Sequence, residues 1–227
     1  MSSSPSSTGL ETLLSQRFSC RGFRADPVPR AVQQQVLALA QKTASWCNSQ
    51  PWRVHVVEGA AIERFRGVML APQHEGERGP DFAWPAEYRG VYRTRRQECA
   101  LALYEAVGVA RGDRVASAVQ ARENFRFFGA PHVAMITTDA ALGVYGAIDC
   151  GGFVANFLLA AAGLGISTIP QAALASRPQR VRDFLSLPED RLVVCGISFG
   201  YADSSHPANG FRTSRAPLAD VANWLAE

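Results

Sequence analysis

The chain has 227 residues, 47% of them hydrophobic and 19% charged, with 19 Gly and 13 Pro; this is an ordinary globular composition and excludes disordered, collagenous and coiled-coil classes. Its 23 basic and 20 acidic residues leave a net charge of +3, too near balance for the footprint of a nucleic-acid binder. Lys42 is the only lysine, which disfavours Schiff-base chemistry, and no Gly-Lys-Ser/Thr run forms a phosphate loop.

Five scattered cysteines without a C-x-x-C pair suit a reducing compartment, the cytoplasm, better than a disulfide framework. The four histidines are far apart and show no metal-ligand spacing, so no metal site is expected. Residues 1–9 are Ser-rich and lack the regions of a signal peptide. They read as a disordered leader to a single domain over 10–227.

Thr8 and Glu11 stand in capping-box spacing before Leu10, Leu13 and Leu14, which predicts a helix over about 9–17. Val32, Val36, Leu37 and Ala40 recur at helical spacing after Pro29 and predict a second. A strand over 52–57 and a short helix over 60–70 follow. Residues 71–92 are dense in Pro and Gly and also hold Phe82, Trp84, Tyr88 and Tyr92, the composition of a long, lid-like loop.

Helical patterns then cover about 93–108 and 113–127, with a strand over 132–138 and a long apolar helix over 142–163. Within Cys150–Ile169 there is no charged residue, a length that could span a bilayer. Its Gly and Ala content and the lack of flanking Lys or Arg point instead to a helix packed in protein. An extended piece at 166–169, a helix from Pro178, a strand over 191–199 and a last helix or strand near 217–226 complete the chain. Few strands, many helices and no regular alternation predict an α+β fold.

Two motifs mislead. Gly196-Ile197-Ser198-Phe199-Gly200 matches the nucleophile elbow of hydrolases, but turn residues follow it where that motif needs a helix. Gly163-Leu164-Gly165 carries part of a dinucleotide fingerprint, yet it follows a helix instead of a strand.

Other runs carry chemistry. Arg17-x-Ser19-x-Arg21 sets two guanidinium groups and a hydroxyl close together, as a bound phosphate requires, although a solvated basic turn would read the same. Asn48-Ser49-Gln50-Pro51-Trp52 offers amide donors and acceptors suited to a heteroaromatic edge, or simply to a self-bonded loop.

Taken together and in order, these runs resemble the FMN-dependent nitroreductase family. The resemblance starts at Arg17–Phe23 and continues through Asp26-Pro27-Val28 and Asn48–Trp52. It returns at Asn124-Phe125, Gly129–His132, Gly163–Pro170, Ser198–Tyr201 and the tail with Arg212 and Arg215. A weaker similarity, over Tyr88–Arg96, Leu103-Tyr104 and Asn124–Pro131, points to the subgroup that reduces nitrobenzoate-type compounds.

The resemblance implies a mixed sheet flanked by helices in an intertwined homodimer, with FMN in clefts between subunits and the long apolar helix buried between them. It implies that Arg17, Phe18, Ser19, Arg21, Arg212 and Arg215 hold the phosphate and ribityl chain. Ser45, Trp46 and Asn48 would be presented by the partner subunit, and Pro170, Gln171, Ala172 and Ala173 would lie along the flavin. Arg126, near Glu123 and Asn124, would tune the redox potential, or would be a surface arginine on an amphipathic helix. No side chain is expected to act as nucleophile or obligate acid. NADH or NADPH would give a hydride to the flavin, and a small nitroaromatic or quinone would then collect it, by ping-pong kinetics.

Phe82, Trp84, Tyr88 and Tyr92 would sandwich the flat acceptor, or would merely pack the loop. Other functions fit the same residues. An FMN-dependent oxidase, dehydrogenase or dehalogenase would run the flavin the other way, a flavin-storage protein would not turn over, and a serine hydrolase would be colourless and depend on Ser198.

Overall fold

The computed structural model describes residues 8–226. Helix α1 (Thr8–Gln16) leads to α2 (Arg30–Ala40), strand β1 (Arg53–Glu58) and α3 (Ala60–Leu70). After a long loop come α4 (Gly90–Ala106), α5 (Arg114–Arg122), β2 (His132–Asp139) and α6 (Gly143–Gly163). Strand β3 (Ser167–Gln171), α7 (Pro178–Leu185) and β4 (Arg191–Gly200) close the core. The strands lie in the order β1-β2-β4-β3, all neighbours antiparallel, and the isolated bridge from Ser19 to Thr168 adds a parallel contact at the β3 edge.

Alternation along β2 sorts the core into two layers. Ala134 and Ile136 join Val36, Trp52, Phe153, Phe157 and Phe199 beneath α2 and α6. Val133 and Met135 join Ile62, Phe65, Met69, Leu174 and Val181 beneath α3 and α7. The sheet is therefore covered by helices on both faces, and β2, buried along nearly its whole length, is its centre. Gly196 on β4 is required by this packing, because a Cβ there would stand 2.4 Å from Leu174 Cδ1.

The long apolar helix buries Cys150, Phe153, Phe157, Leu158 and Ala161 against the sheet. Its other side leaves Val144, Tyr145 and Ile148 exposed. Leu10 and Leu14 on α1, and Leu218, Val221 and Trp224 in the tail, are exposed too.

Several local expectations change. The leader expected over 1–9 falls mostly outside the described residues, and residues 8 and 9 already belong to α1. The helix expected over 113–127 stops at Arg122, because Phe127 and Phe128 adopt φ of 59° and 52° to reach the core, a left-handed turn that no helix continues through. The element expected near 217–226 is only a 3-10 turn, Leu218–Asp220. Leu218, Val221 and Trp224 are largely exposed, and so short a helix does not hold without packing. In the 71–92 stretch, Gly90 already opens α4, while Glu77 pairs with Arg180 and Asp81 with Arg182, so its first half is pinned to α7.

Candidate functional site: an arginine-lined groove

Past the end of α1 the chain runs extended along the edge of the sheet. Cys20 N–H bonds Thr168 O at 3.0 Å, and Arg21 N–H bonds Asn209 Oδ1 at 2.7 Å. Asn209 Nδ2 in turn donates to Gly22 O and Asp203 O, each at 2.8 Å. Gly22 is needed here, since a Cβ would lie 2.2 Å from His206 Cγ. Alternation in an extended segment sends Arg17, Ser19 and Arg21 to one side. There they meet Phe18, Arg212 and Arg215 around a cavity of about 550 Å³, which Cys99, Phe211 and Thr213 also line.

Among the described residues no carboxylate lines this cavity. Burial pulls the Arg17 guanidinium below its ordinary pKa, and the charge of Arg215 pulls it further. Arg21 is likewise held down, chiefly by burial. The partners present are neutral: Arg21 Nη1 donates to Ser19 O at 3.2 Å, Arg215 Nη1 to Thr213 Oγ1 at 3.0 Å and Ser214 O at 2.8 Å, and Arg212 Nη1 to Asn209 O at 2.8 Å. Arg212 also lies 4.1 Å over the Phe18 ring. Positive groups that repel one another in a partly buried hollow suit an anion with several oxygens.

Arg21 also lines a second cavity, of about 290 Å³. Pro170, Gln171 and Ala172 form one wall, and Leu103, Tyr104, Gln120, Ala121, Asn124 and Phe128 form the others. The Gln171 side chain points into the core: its Nε2 donates to Asn124 O at 2.9 Å and its Oε1 accepts from Ser198. Gln171 therefore fixes the wall and leaves its backbone to face the cavity. Ser198, fully buried and committed to that bond, is not presented as a nucleophile.

The structure does not bring the other expected residues to this groove within one chain. Arg126 is exposed, 3.6 Å from Glu123, because the left-handed turn that follows buries Phe127 and Phe128 and leaves Arg126 outside. Ala173 lies just past the wall, its carbonyl accepting from Ser176 Oγ at 2.6 Å. Trp46 sits against the first half of α6, where its N–H bonds Asp149 Oδ2 at 3.1 Å and its ring meets Tyr145 edge-on, while Ser45 Oγ and Asn48 Oδ1 accept from Gln50 in their own loop. Phe82 is half-buried and Trp84, Tyr88 and Tyr92 are exposed, because the buried Asp81 draws the loop toward α7. Asn209, Cys99 and Gln120 were not anticipated. No spacing marks them, and only the fold brings them to residues about a hundred or more positions away.

Comparison with known proteins agrees with this geometry. Residues 14–201 match the Nitroreductase family. The chain is 36% identical to nitroreductase NfnB of Mycolicibacterium smegmatis over 219 residues, covering 94% of this chain and 92% of that protein. It is 33% identical to the chloronitrobenzene nitroreductase of Comamonas testosteroni over 226 residues, covering 98% of this chain and all of that one. The crystal structure of the FMN-dependent nitroreductase NfnB from Mycobacterium smegmatis in complex with NADPH superposes with a TM-score of 0.91 at 35% identity, over 97% of this chain and 99% of that one. The chain belongs to the nitroreductase family.

Proposed function

We propose that this protein is an FMN-dependent oxidoreductase that reduces nitroaromatic or quinone acceptors with NADH or NADPH, as a cytoplasmic homodimer. The observation that carries the reading is the cavity of four arginines without a counter-ion among the described residues, joined through Arg21 to the Pro170–Ala172 wall. FMN fits the donors present: its phosphate suits Arg17, Ser19, Arg212 and Arg215, and its flat ring suits the narrower cavity beside Tyr104 and Phe128. Bound FMN would supply the two-electron chemistry that links the nicotinamide to the acceptor.

The chain's own part is to bind and orient. Arg21, at the junction of the two cavities, would place a positive charge beside the ring, which favours the reduced anionic form. This is the task that the sequence assigned to Arg126. Residues 170–172 would set the ring plane, braced from behind by Gln171 and Ser198. The five free cysteines support a reducing compartment.

The exposed apolar face of α6, with Leu10, Leu14 and the 218–224 tail, supports a dimer. In that dimer Ser45, Trp46 and Asn48 of each subunit would face the partner's groove. Residues 82–89, beyond the Asp81 anchor, and the first turn of α4 would bring Trp84, Tyr88 and Tyr92 over the acceptor.

An anaerobic absorbance spectrum before and after addition of NADPH or NADH tests the proposal. A yellow protein that bleaches rapidly is expected. A yellow protein that does not bleach would favour the oxidase or storage readings, and a colourless protein that cannot be reconstituted with FMN would overturn the proposal. Sedimentation would test the dimer: a monomer would also remove the role given to Trp46.

A further inference from the structure

The groove does not end at the phosphate cavity. A third cavity, of about 830 Å³, shares Cys99, Arg212, Thr213 and Arg215 with it. This volume is in the range that holds a sizeable organic ligand. One stripe of α4 runs beside all three: Leu103 and Tyr104 at the ring cavity, Cys99 at the phosphate cavity, and Thr94 and Arg95 at the outer one. From Tyr104 back to Arg95 is nine residues of helix, roughly 14 Å at the α-helical rise. A nicotinamide dinucleotide stretched along the groove is long enough to bridge that interval.

Arg95 differs from the arginines around it. Arg212 and Arg215 donate to backbone carbonyls, and Arg96 lies 5.1 Å over the Tyr88 ring. Arg95 makes no ion pair among the described residues, although Glu98 stands one turn away on the same wall. With FMN in place, Arg212 and Arg215 are occupied by its phosphate. Arg95, beside the Thr94 hydroxyl, is then the cation left free on a wall that otherwise carries the carboxylates of Glu98 and Asp220.

NADH and NADPH differ only in a phosphate on the adenosine 2′-oxygen. We infer that Arg95 is the 2′-phosphate anchor of this groove and that the protein prefers NADPH to NADH. The inference rests on the nitroreductase reading of the site. A guanidinium fork matches a phosphate monoester in charge and geometry. Thr94 adds a hydroxyl donor, and Glu98 is an acceptor suited to the neighbouring ribose 3′-hydroxyl.

The test is anaerobic stopped-flow reduction of the bound flavin by each nucleotide, in the wild type and in Arg95→Ala. The wild type is expected to be reduced more efficiently by NADPH. Arg95→Ala is expected to lower the NADPH-to-NADH ratio of efficiencies about 10-fold or more, the scale of one charged hydrogen bond. Calorimetry on the holoenzyme gives a readout independent of turnover. Adenosine 2′,5′-bisphosphate should bind more tightly than 5′-AMP to the wild type, and that difference should vanish in the variant.

Flavin content of the variant, unchanged, establishes that it is folded and loaded. Equal reduction of the wild-type flavin by both nucleotides, or an unaltered ratio in Arg95→Ala, would overturn the inference and leave the nitroreductase reading intact. Failure of both nucleotides to reduce the wild-type flavin would overturn that reading itself.

Discussion

Asp81 and Arg182 meet at 2.7 Å with 0% and 1% of their side chains exposed, and the same carboxylate oxygen accepts the Val193 N–H at 2.8 Å. The pair ties the middle of the 71–89 loop to the start of β4. It is held without full satisfaction, since Asp81 Oδ1 and Arg182 Nε have no hydrogen-bond partner. Removing one member strands a charge in the core, so Asp81→Ala is expected to lower the unfolding free energy by about 3–5 kcal/mol. Replacing both, as Asp81→Leu with Arg182→Met, removes the stranded charge and should cost much less. Urea unfolding of the two variants decides it: equal losses would mean that the loop is held by its packing and not by the pair.

The arginines proposed to hold the FMN phosphate and ring predict a different signature. Arg17 is held below its ordinary pKa by burial and by Arg215, so its positive charge is a liability until an anion offsets it. Arg17→Ala, Arg21→Ala and Arg215→Ala are each expected to weaken FMN binding by about 10- to 100-fold, the loss of a charged hydrogen bond. The flavin-free variants should melt no lower than the flavin-free wild type, while the stabilisation that FMN confers on each shrinks. Stoichiometric flavin retained through purification in both Arg17→Ala and Arg215→Ala would remove the proposed phosphate assignment.

What was legible in the sequence follows from the range of the forces involved. Helical spacing over Val32–Ala40 and the β-formers over His132–Thr138 are local signals, and both elements form close to where they are expected. The groove's two main walls were legible because Arg17-x-Ser19-x-Arg21 and Pro170–Ala172 are contiguous runs. Illegible were the partnerships across the fold. Asn209 holds Arg21 and Gly22 from 187 or 188 residues away, and the Arg180 and Arg182 pairs capture a stretch that its Pro and Gly content marks as free. Arg126 lies outside the groove of its own chain for a local reason that composition hides. Two consecutive phenylalanines in a left-handed turn enter the core and leave the preceding side chain outside.

Ser198 separates the flavin reading from the hydrolase motif around it. Its hydroxyl is fully buried and donates to Gln171 Oε1, behind the wall that faces the ring cavity. Ser198→Ala leaves that oxygen short of a donor in the core, with an expected loss of about 1–3 kcal/mol in stability. Flavin reduction should persist within a few-fold, because the backbone of Pro170 and Gln171 is still paired to β4. A variant that keeps its stability and loses all turnover would contradict this account.

His132 sets the acid limit of the fold. It is 2% exposed, and its Nε2 accepts the Val28 N–H at 2.8 Å, so the proton sits on Nδ1, 3.2 Å from Glu58 Oε2. Burial lowers its pKa below the ordinary 6.5, with Glu58 opposing in part and Arg30 adding to the fall. His55 is lowered as well, by burial and then by Arg191 and Arg53. Below pH 6.5 the unfolded chain therefore takes up protons that the folded one refuses, and stability declines as the pH falls from 6.5 toward the depressed folded values. The carboxylates held below their ordinary pKa, Glu63 and Glu77 among them, titrate at lower pH and stay out of this window. The melting temperature is thus expected to fall between pH 6.5 and 5. In His132→Phe the ring can keep its stacking on Phe199 but leaves Val28 N–H unpaired, so the variant should melt lower at every pH and with a flatter slope. A slope equal to that of the wild type would transfer the acid sensitivity to His55.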